Sequence, residues 1–186
     1  MLKPTTFRAC MTLALLLATA GRAVAATESP SLEMGVKAAF LPKFAAYVNW
    51  PPGALGAAEE PIRLCIIGRN AFGSSLDAIA GRERIDQHPV QVRKLNSAAE
   101  AGGCHIAFLG GSAKESPARM LDALQGQPIL TVTDARVGTE RGIVHFVLKD
   151  GRVRFHIDDA LAARSNLDIS ARLLSLAVSV RQRGRA

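Results

Sequence analysis

The sequence has little of what marks several common protein classes. Its 186 residues include three cysteines, one tryptophan and one tyrosine, and 21% of the chain is charged. The only apolar run of near-membrane length lies at the N-terminus, so we predict no internal transmembrane helix. There is no internal repeat, low-complexity block or dividing linker, and the 48% hydrophobic content excludes a disordered chain. A water-soluble globular protein is expected.

The N-terminus has the pattern of a secretory signal peptide. Lys3 and Arg8 precede an apolar stretch at 11–20, and small residues ending at Ala25 offer a cleavage site. Cys10 precedes the apolar stretch, whereas a lipoprotein cysteine would follow it, so no lipid anchor is expected. We therefore predict a signal peptide over residues 1–25 and a single α/β domain over residues 26–186.

The charge balance argues against a nucleic-acid partner. Cleavage removes Lys3, Arg8 and Arg22 with no acid, so the formal net charge falls from +7 to +4. Three further arginines lie within the last six residues, which leaves the body of the protein at about +1. No basic stripe that would follow a phosphate backbone is present in the sequence.

Short apolar runs predict a sheet that is buried on both faces. Residues 62–68, 104–110 and 128–134 read as parallel strands, with helical segments at 72–79 and 117–124 between them. Residues 90–95 alternate in polarity and predict a strand near an edge. Residues 143–148 and 153–157 flank Asp150 and Gly151, a strong hairpin signal. The predicted fold is a three-layer α/β domain with a mixed, mostly parallel sheet and a C-terminal antiparallel hairpin.

Amphipathic helices are predicted at both ends of the mature chain. Residues 33–50 place apolar side chains every four positions (Val36, Phe40, Phe44 and Val48), with Pro42 expected to bend or divide the helix. A final helix over 169–181 would carry Leu174 and Val178 opposite its main apolar face. Those two residues would need a second cover, either a partner protein or another helix of the same domain.

No catalytic constellation is present in the sequence. The serines lie in no G-x-S-x-G elbow, and Ser74 stands where a phosphate-binding loop needs lysine. His145 and His156 lie on opposite arms of the predicted hairpin, and His156 with Asp158 share a strand face. They could bind a metal or form hydrogen bonds within the sheet, and we favour the second. We predict no catalytic residue, metal or cofactor.

Cys65 and Cys104 remain after cleavage, an even pair in an exported chain. Redox catalysis usually uses C-x-x-C, whereas these cysteines are 39 positions apart on two predicted strands. A structural disulfide is the favoured interpretation, and it requires the two strands to be neighbours.

Several motifs, in order and at their spacing, resemble those of the YfiR family from about Met34 to Arg183. They are Val36–Phe40, Phe44–Pro51, Cys65–Gly68, Gly103–Phe108, Leu130–Asp134 and Leu167–Leu174. The resemblance implies a periplasmic repressor, without catalysis, that binds the periplasmic sensor region of an inner-membrane diguanylate cyclase, YfiN. Repression would lower cyclic di-GMP and biofilm formation, and an outer-membrane partner, YfiB, would relieve it. The family's first core disulfide maps onto Cys65 and Cys104, whereas a second bridge found in some members has no cysteines here.

The same resemblance points to a partner-binding surface near the C-terminus. The family often has Phe-Glu-Ile-Asn where this chain has Phe155, His156, Ile157 and Asp158. We predict that Phe155, His156, Asp158, Leu174 and Val178 face the partner, and a homodimer is a further hypothesis. The alternative function is a periplasmic small-molecule-binding module, with its site at the carboxyl ends of the parallel strands near Gly68, Asn70 and Asp134.

Overall fold

A computed structural model describes residues 32–184 of the chain. The predicted signal peptide over residues 1–25 lies outside this range. The helices are α1 (Leu32–Lys43), α2 (Ser75–Ala80), α3 (Pro117–Ala123), α4 (Asp159–Arg164) and α5 (Ala171–Leu176). The strands are β1 (Val48–Asn49), β2 (Ile62–Gly68), β3 (Arg84–Ile85), β4 (His88–Leu95), β5 (Ile106–Gly111), β6 (Leu130–Asp134), β7 (Val144–Lys149), β8 (Arg152–Asp158), β9 (Asp168–Ile169) and β10 (Val180–Arg181).

The main sheet has eight strands in the order β10-β8-β7-β6-β5-β2-β4-β3. Strands β4, β2, β5, β6 and β7 are parallel, whereas β3 runs antiparallel to β4 and β8 runs antiparallel to β7. Asp150 and Gly151 join β7 to β8 with φ of 52° and 69°, the left-handed pair that a two-residue hairpin turn requires. The predicted mixed, mostly parallel sheet with a C-terminal antiparallel hairpin is confirmed, and β4 lies next to the edge strand β3 as expected.

Side chains that alternate along the strands form one core on each face of the sheet. In β2, Leu64 and Ile66 join the larger core with α1 and α2, whereas Cys65 and Ile67 join a smaller core with α3. A strand buried on both faces has no polar side to show, which is why its sequence reads as a continuous apolar run. The predicted three-layer arrangement is confirmed.

The N-terminal helix is shorter and rotated relative to the prediction. Helix α1 ends at Lys43, one residue after Pro42, and a 3-10 turn continues over Phe44–Tyr47. Its buried side chains include Met34, Ala38 and Leu41, whereas Val36 is 36% exposed. Residues spaced strictly by four drift around a helix of 3.6 residues per turn, so the predicted stripe does not stay on one face.

Lys37 is the largest charged side chain inside the larger core, with no exposed surface. Its Nζ donates to Asp134 Oδ2 at 2.6 Å and also to Glu33. Asp134 accepts a second bond from the backbone N–H of Arg136 at 3.0 Å. The guanidinium of Arg136 binds Glu33 at 2.7 Å. This network ties α1 to the carboxyl end of β6.

The predicted final helix over 169–181 is wrong. Helix α5 ends at Leu176, and the chain then extends so that β10 pairs with β8 in parallel. The N–H of Val178 donates to the carbonyl of Phe155 at 2.9 Å, and that of Ile157 donates to Ser179 at 3.0 Å. The free edge of β8 offers unpaired backbone groups, and the β-branched residues after α5 suit an extended strand.

The Cys65–Cys104 disulfide is present, with Cα atoms 6.0 Å apart. Cys65 lies on β2 and Cys104 lies just before β5, the neighbour of β2 in the sheet. Both sulfurs are in the smaller core, where the two residues are 0% and 4% exposed. The predicted pairing and the predicted adjacency of its strands are confirmed.

Reduction of this disulfide should lower the free energy of unfolding by about 4 kcal/mol, because the bond closes a loop of 39 positions in the unfolded chain. Urea unfolding with and without reductant measures the difference. The Cys65→Ala/Cys104→Ala variant is the control, since its unfolding should not respond to reductant. Equal unfolding midpoints for the oxidised and reduced protein would contradict a structural role.

Lys37→Met should cost about 3–5 kcal/mol of stability, because it leaves the Asp134 carboxylate buried without its cation. Urea unfolding of Lys37→Met/Asp134→Asn is the matched comparison, since removing both charges should recover at least half of the loss. If the double variant were no more stable than the single one, the ion pair would not explain the cost.

The same network should make stability fall in acid. Burial raises the pKa of Glu33, but hydrogen bonds and charge from Lys37 and Arg136 outweigh it, so the pKa lies below the ordinary 4.5. A carboxyl group whose pKa is depressed on folding adds stability above its unfolded pKa. That stability is lost as the pH falls through the folded pKa. Lys37→Met should show a weaker acid dependence in urea unfolding.

Candidate functional site

The predicted partner-binding residues all lie on β8, α5 and the segment that follows, which we call the C-terminal edge (residues 152–158 and 171–181). Two side-chain caps fix its geometry. Asp158 Oδ1 accepts from the N–H of Leu161 at 2.8 Å and so caps α4. Ser170 Oγ accepts from the N–H of Leu173 at 3.3 Å and caps α5. Such caps satisfy N–H groups that have no partner inside the helix.

Two arginines bind the last described residues to neighbouring elements, Arg181 to β8 and Arg183 to α4 and β9. Arg183 Nε and Nη2 donate to the two carboxylate oxygens of Asp159 at 2.7 and 3.0 Å, and Nη2 also reaches Asp168 at 2.7 Å. The hydrogen bonds that Arg183 donates to Asp159 are the main reason that the pKa of Arg183 is raised above its ordinary value. Arg181 pairs with Asp158 at 3.3 Å. The segment after α5 is therefore held by side chains as well as by the backbone bonds of β10.

Phe155 is a core residue rather than a surface residue. It is 3% exposed and packs edge-on against Phe40 and Phe44, with ring centroids 5.9 and 5.4 Å apart. Because side chains alternate along a strand, His156 and Asp158 project from the opposite face of β8. Phe155 can therefore affect a partner surface only indirectly, by holding β8 in position from the core.

Leu174 and Val178 are both half-buried, but they do not share a helix. Leu174 lies on α5 and packs against the larger core. Val178 lies in the extended segment, where its backbone bonds to Phe155. The structure thus brings His156, Asp158 and Val178 together around the pairing of β8 with β10, and it places Leu174 on the preceding helix.

Leu176 is a surface residue, whereas a helix over 169–181 would place it on the main apolar face, opposite Leu174 and Val178. It is 57% exposed, one of four large hydrophobic side chains among residues 32–184 with an exposed surface. It is the last residue of α5, and the chain becomes extended directly after it. Leu176 extends the apolar part of the C-terminal edge.

His145 and His156 are direct partners across the β7–β8 pair, with ring centroids 6.4 Å apart. His145 Nδ1 is 2.9 Å from Thr133 Oγ1, and His156 Nδ1 is 2.6 Å from Ser179 Oγ. Burial, followed by the charge of Arg141, lowers the pKa of both imidazoles. Within residues 32–184 no group of three or more His, Cys, Asp or Glu side chains is arranged to hold a metal ion.

At the carboxyl ends of the parallel strands, the polar side chains of the crevice form hydrogen bonds within the protein. Asn70 accepts from the N–H of Phe72 at 3.0 Å and donates to the carbonyl of Gly73 at 3.1 Å. Asp134 is 2% exposed and is bound to Lys37 and Arg136. Gly68 lies against the backbone of Gly111, where a Cβ would come within 2.4 Å of the carbonyl oxygen. The polar groups of Asn70 and Asp134 are therefore already engaged by other residues of this chain.

Comparison with known proteins identifies one family. The sequence profile of the YfiR/HmsC-like family matches residues 35–178. No curated protein matches the chain. Among residues 32–184, none of the helices has the length and apolar character needed to cross a membrane. The matched region includes α1 from Gly35 onward, the five parallel strands from β2 to β7, and the C-terminal edge as far as Val178.

Arg183→Gln should loosen the C-terminal edge and lower the free energy of unfolding by about 1–2 kcal/mol, because Asp159 loses a cation that binds both of its oxygens. The loss is moderate because solvent partly screens Arg183. Hydrogen exchange at the N–H groups of Ile157 and Val178 should become faster. Arg181→Gln is the matched control, because its single pair with Asp158 is exposed and should contribute little. Unchanged exchange in Arg183→Gln would show that the clamp is not needed.

Proposed function

Because this chain belongs to the YfiR/HmsC-like family, we propose that it binds the periplasmic sensor region of an inner-membrane diguanylate cyclase and holds that enzyme inactive. Membership supports a periplasmic, regulatory role in diguanylate cyclase signalling and a non-catalytic one. The finer proposal is direct repression of a YfiN-like cyclase, which lowers cyclic di-GMP and biofilm formation. An outer-membrane YfiB-like protein is the proposed releasing partner.

The observation that carries this proposal is the extent of the family match, residues 35–178. It spans nearly all of the described fold, so the chain shares the family's scaffold rather than one motif. The disulfide between Cys65 and Cys104 supports an oxidising compartment, since such bonds rarely persist in the cytosol. Export through the predicted signal peptide at 1–25 is part of the same proposal.

The C-terminal edge is the proposed contact surface. Its apolar part consists of Leu174, Leu176 and Val178, and its polar part consists of His156 and Asp158. Leu176 is the best anchor, because a large apolar side chain that is 57% exposed gains most when a partner covers it. Phe155 contributes by fixing the position of β8 from inside the core.

The replacement of glutamate by His156 bears on which partner is recognised. A glutamate at this position would present a full negative charge, whereas burial lowers the pKa of the His156 imidazole and so favours its neutral form. A cyclase matched to this chain therefore needs no cation opposite position 156. Charge complementarity of this kind sets specificity more than it sets affinity.

Leu176→Asp and His156→Ala should abolish repression in cells without unfolding the protein. An aspartate at position 176 places a charge where the partner must exclude water, a cost of at least about 2 kcal/mol or roughly thirtyfold in affinity. The measurement is intracellular cyclic di-GMP in a strain that lacks the chromosomal gene and is complemented with each variant.

Arg82→Ala is the control variant, because Arg82 is exposed near the opposite edge of the sheet. The wild type and Arg82→Ala should both lower cyclic di-GMP, whereas Leu176→Asp and His156→Ala should not. Circular dichroism of each purified variant checks the fold. Equal cyclic di-GMP in all four complemented strains would count against this surface, and unchanged levels on gene deletion would count against repression itself.

A further inference from the structure

A cleft of about 220 Å³ opens beside the pairing of β8 with β10. Its polar lining consists of Arg141, His145, His156, Asp158, Ser179 and Arg181. The histidines come from neighbouring strands on the sheet face opposite α1, and Arg141 comes from the loop before β7. Two guanidinium groups, two imidazoles and a hydroxyl thus converge on one small space.

Several of these groups have hydrogen-bonding capacity that the protein does not use. The guanidinium of Arg141 has no side-chain partner among residues 32–184. Each imidazole uses Nδ1, toward Thr133 or Ser179, and leaves Nε2 unbonded within that range. No fully buried side-chain nitrogen or oxygen in the described range lacks a partner. The Nε2 atom of His145, a residue only 3% exposed, must therefore reach solvent, and the cleft is the space that His145 lines.

The charge of the cleft is positive. Asp158 is the only carboxylate among the described residues that line it, and both of its oxygens are engaged, one by the N–H of Leu161 and the other by Arg181. Because Asp158 offsets the charge of Arg181, Arg141 gives the cleft one net positive charge. Protonation of either imidazole would add to that charge. The charged groups that act on the two histidines are Lys37, Asp134, Arg141, Lys149 and the histidines themselves. Of these groups, only Asp134 is negative, and Lys37 already binds it.

We propose that this cleft is a binding site for a small oxyanion, of the size of sulfate or inorganic phosphate, either free or as the charged group of a small metabolite. Guanidinium and imidazole N–H groups are the donors that bind such oxygens most strongly. A volume of about 220 Å³ accepts the anion with a few further atoms and is too small for a nucleotide. The cleft shares His156 and Asp158 with the proposed contact surface, but anion binding can be tested without a partner, because every residue that lines the cleft belongs to this chain.

Sulfate is the probe for the test, because its charge stays constant while histidine titrates. The chain contains four histidines, so each imidazole can be followed by NMR in the intact, disulfide-bonded protein. Sulfate should shift the ring signals of His145 and His156 in a saturable way and raise both pKa values. His88, at the start of β4, and His105, just before β5, do not line the cleft and should respond no more than they do to sodium chloride of the same ionic strength. Phosphate and acetate are titrated in the same way. A site for tetrahedral oxyanions should respond to phosphate, whereas a carboxylate site should respond to acetate.

Arg141→Gln should weaken sulfate binding by about tenfold, the effect of losing one charge-assisted partner. The side chain of Arg141 is exposed and has no partner within residues 32–184, so this variant should fold like the wild type. Arg82→Gln is the matched control and should bind sulfate as the wild type does. The proposal is overturned if all four histidines respond alike without saturation, or if Arg141→Gln and Arg82→Gln bind sulfate equally.

Discussion

The pairing of residues 178–181 with the outer edge of β8 is the interaction on which the proposed functional surface depends. Without it, β8 would end the sheet with a row of unpaired backbone groups, a site for unwanted association. With it, Ser179 reaches His156, Arg181 reaches Asp158, and α5 is held so that Leu176 projects into solvent. The proposed contact surface and the anion cleft are therefore built by one short extended segment, and Arg183 secures that segment.

Two buried features support this edge from a distance. The disulfide joins β2 to the start of β5 in the smaller core, and the Lys37 network joins α1 to the end of β6 in the larger one. Both link elements that are far apart in sequence, so they restrain the sheet and its covering helix as one body. Phe40 and Phe44, carried by α1 and the turn after it, then pack on Phe155 and set the position of β8.

The sequence predicts the interior of this fold well and its last residues poorly. A continuous apolar run such as 62–68 indicates a strand that is buried on both faces. Asp150 and Gly151 indicate a two-residue hairpin turn. Residues 169–181 are apolar at helical and at strand spacing alike, and the choice is made by the unpaired edge of β8, which no local pattern reveals. The cleft is hidden for the same reason, because Arg141, His145, His156 and Ser179 meet only when β7, β8 and the final segment are placed side by side. The burial of Lys37 could not be predicted from a local pattern either, since its partner Asp134 is 97 positions away.

The central claim is that the C-terminal edge contacts the cyclase. Hydrogen exchange of this chain, alone and with the purified periplasmic region of the membrane cyclase from the same organism, tests it most directly. The account predicts slower exchange across residues 171–181 in the complex and no change in α2, β3 and β4 at the far edge of the sheet. A complex that protects only the far edge, or the absence of any complex between the two proteins, would contradict it.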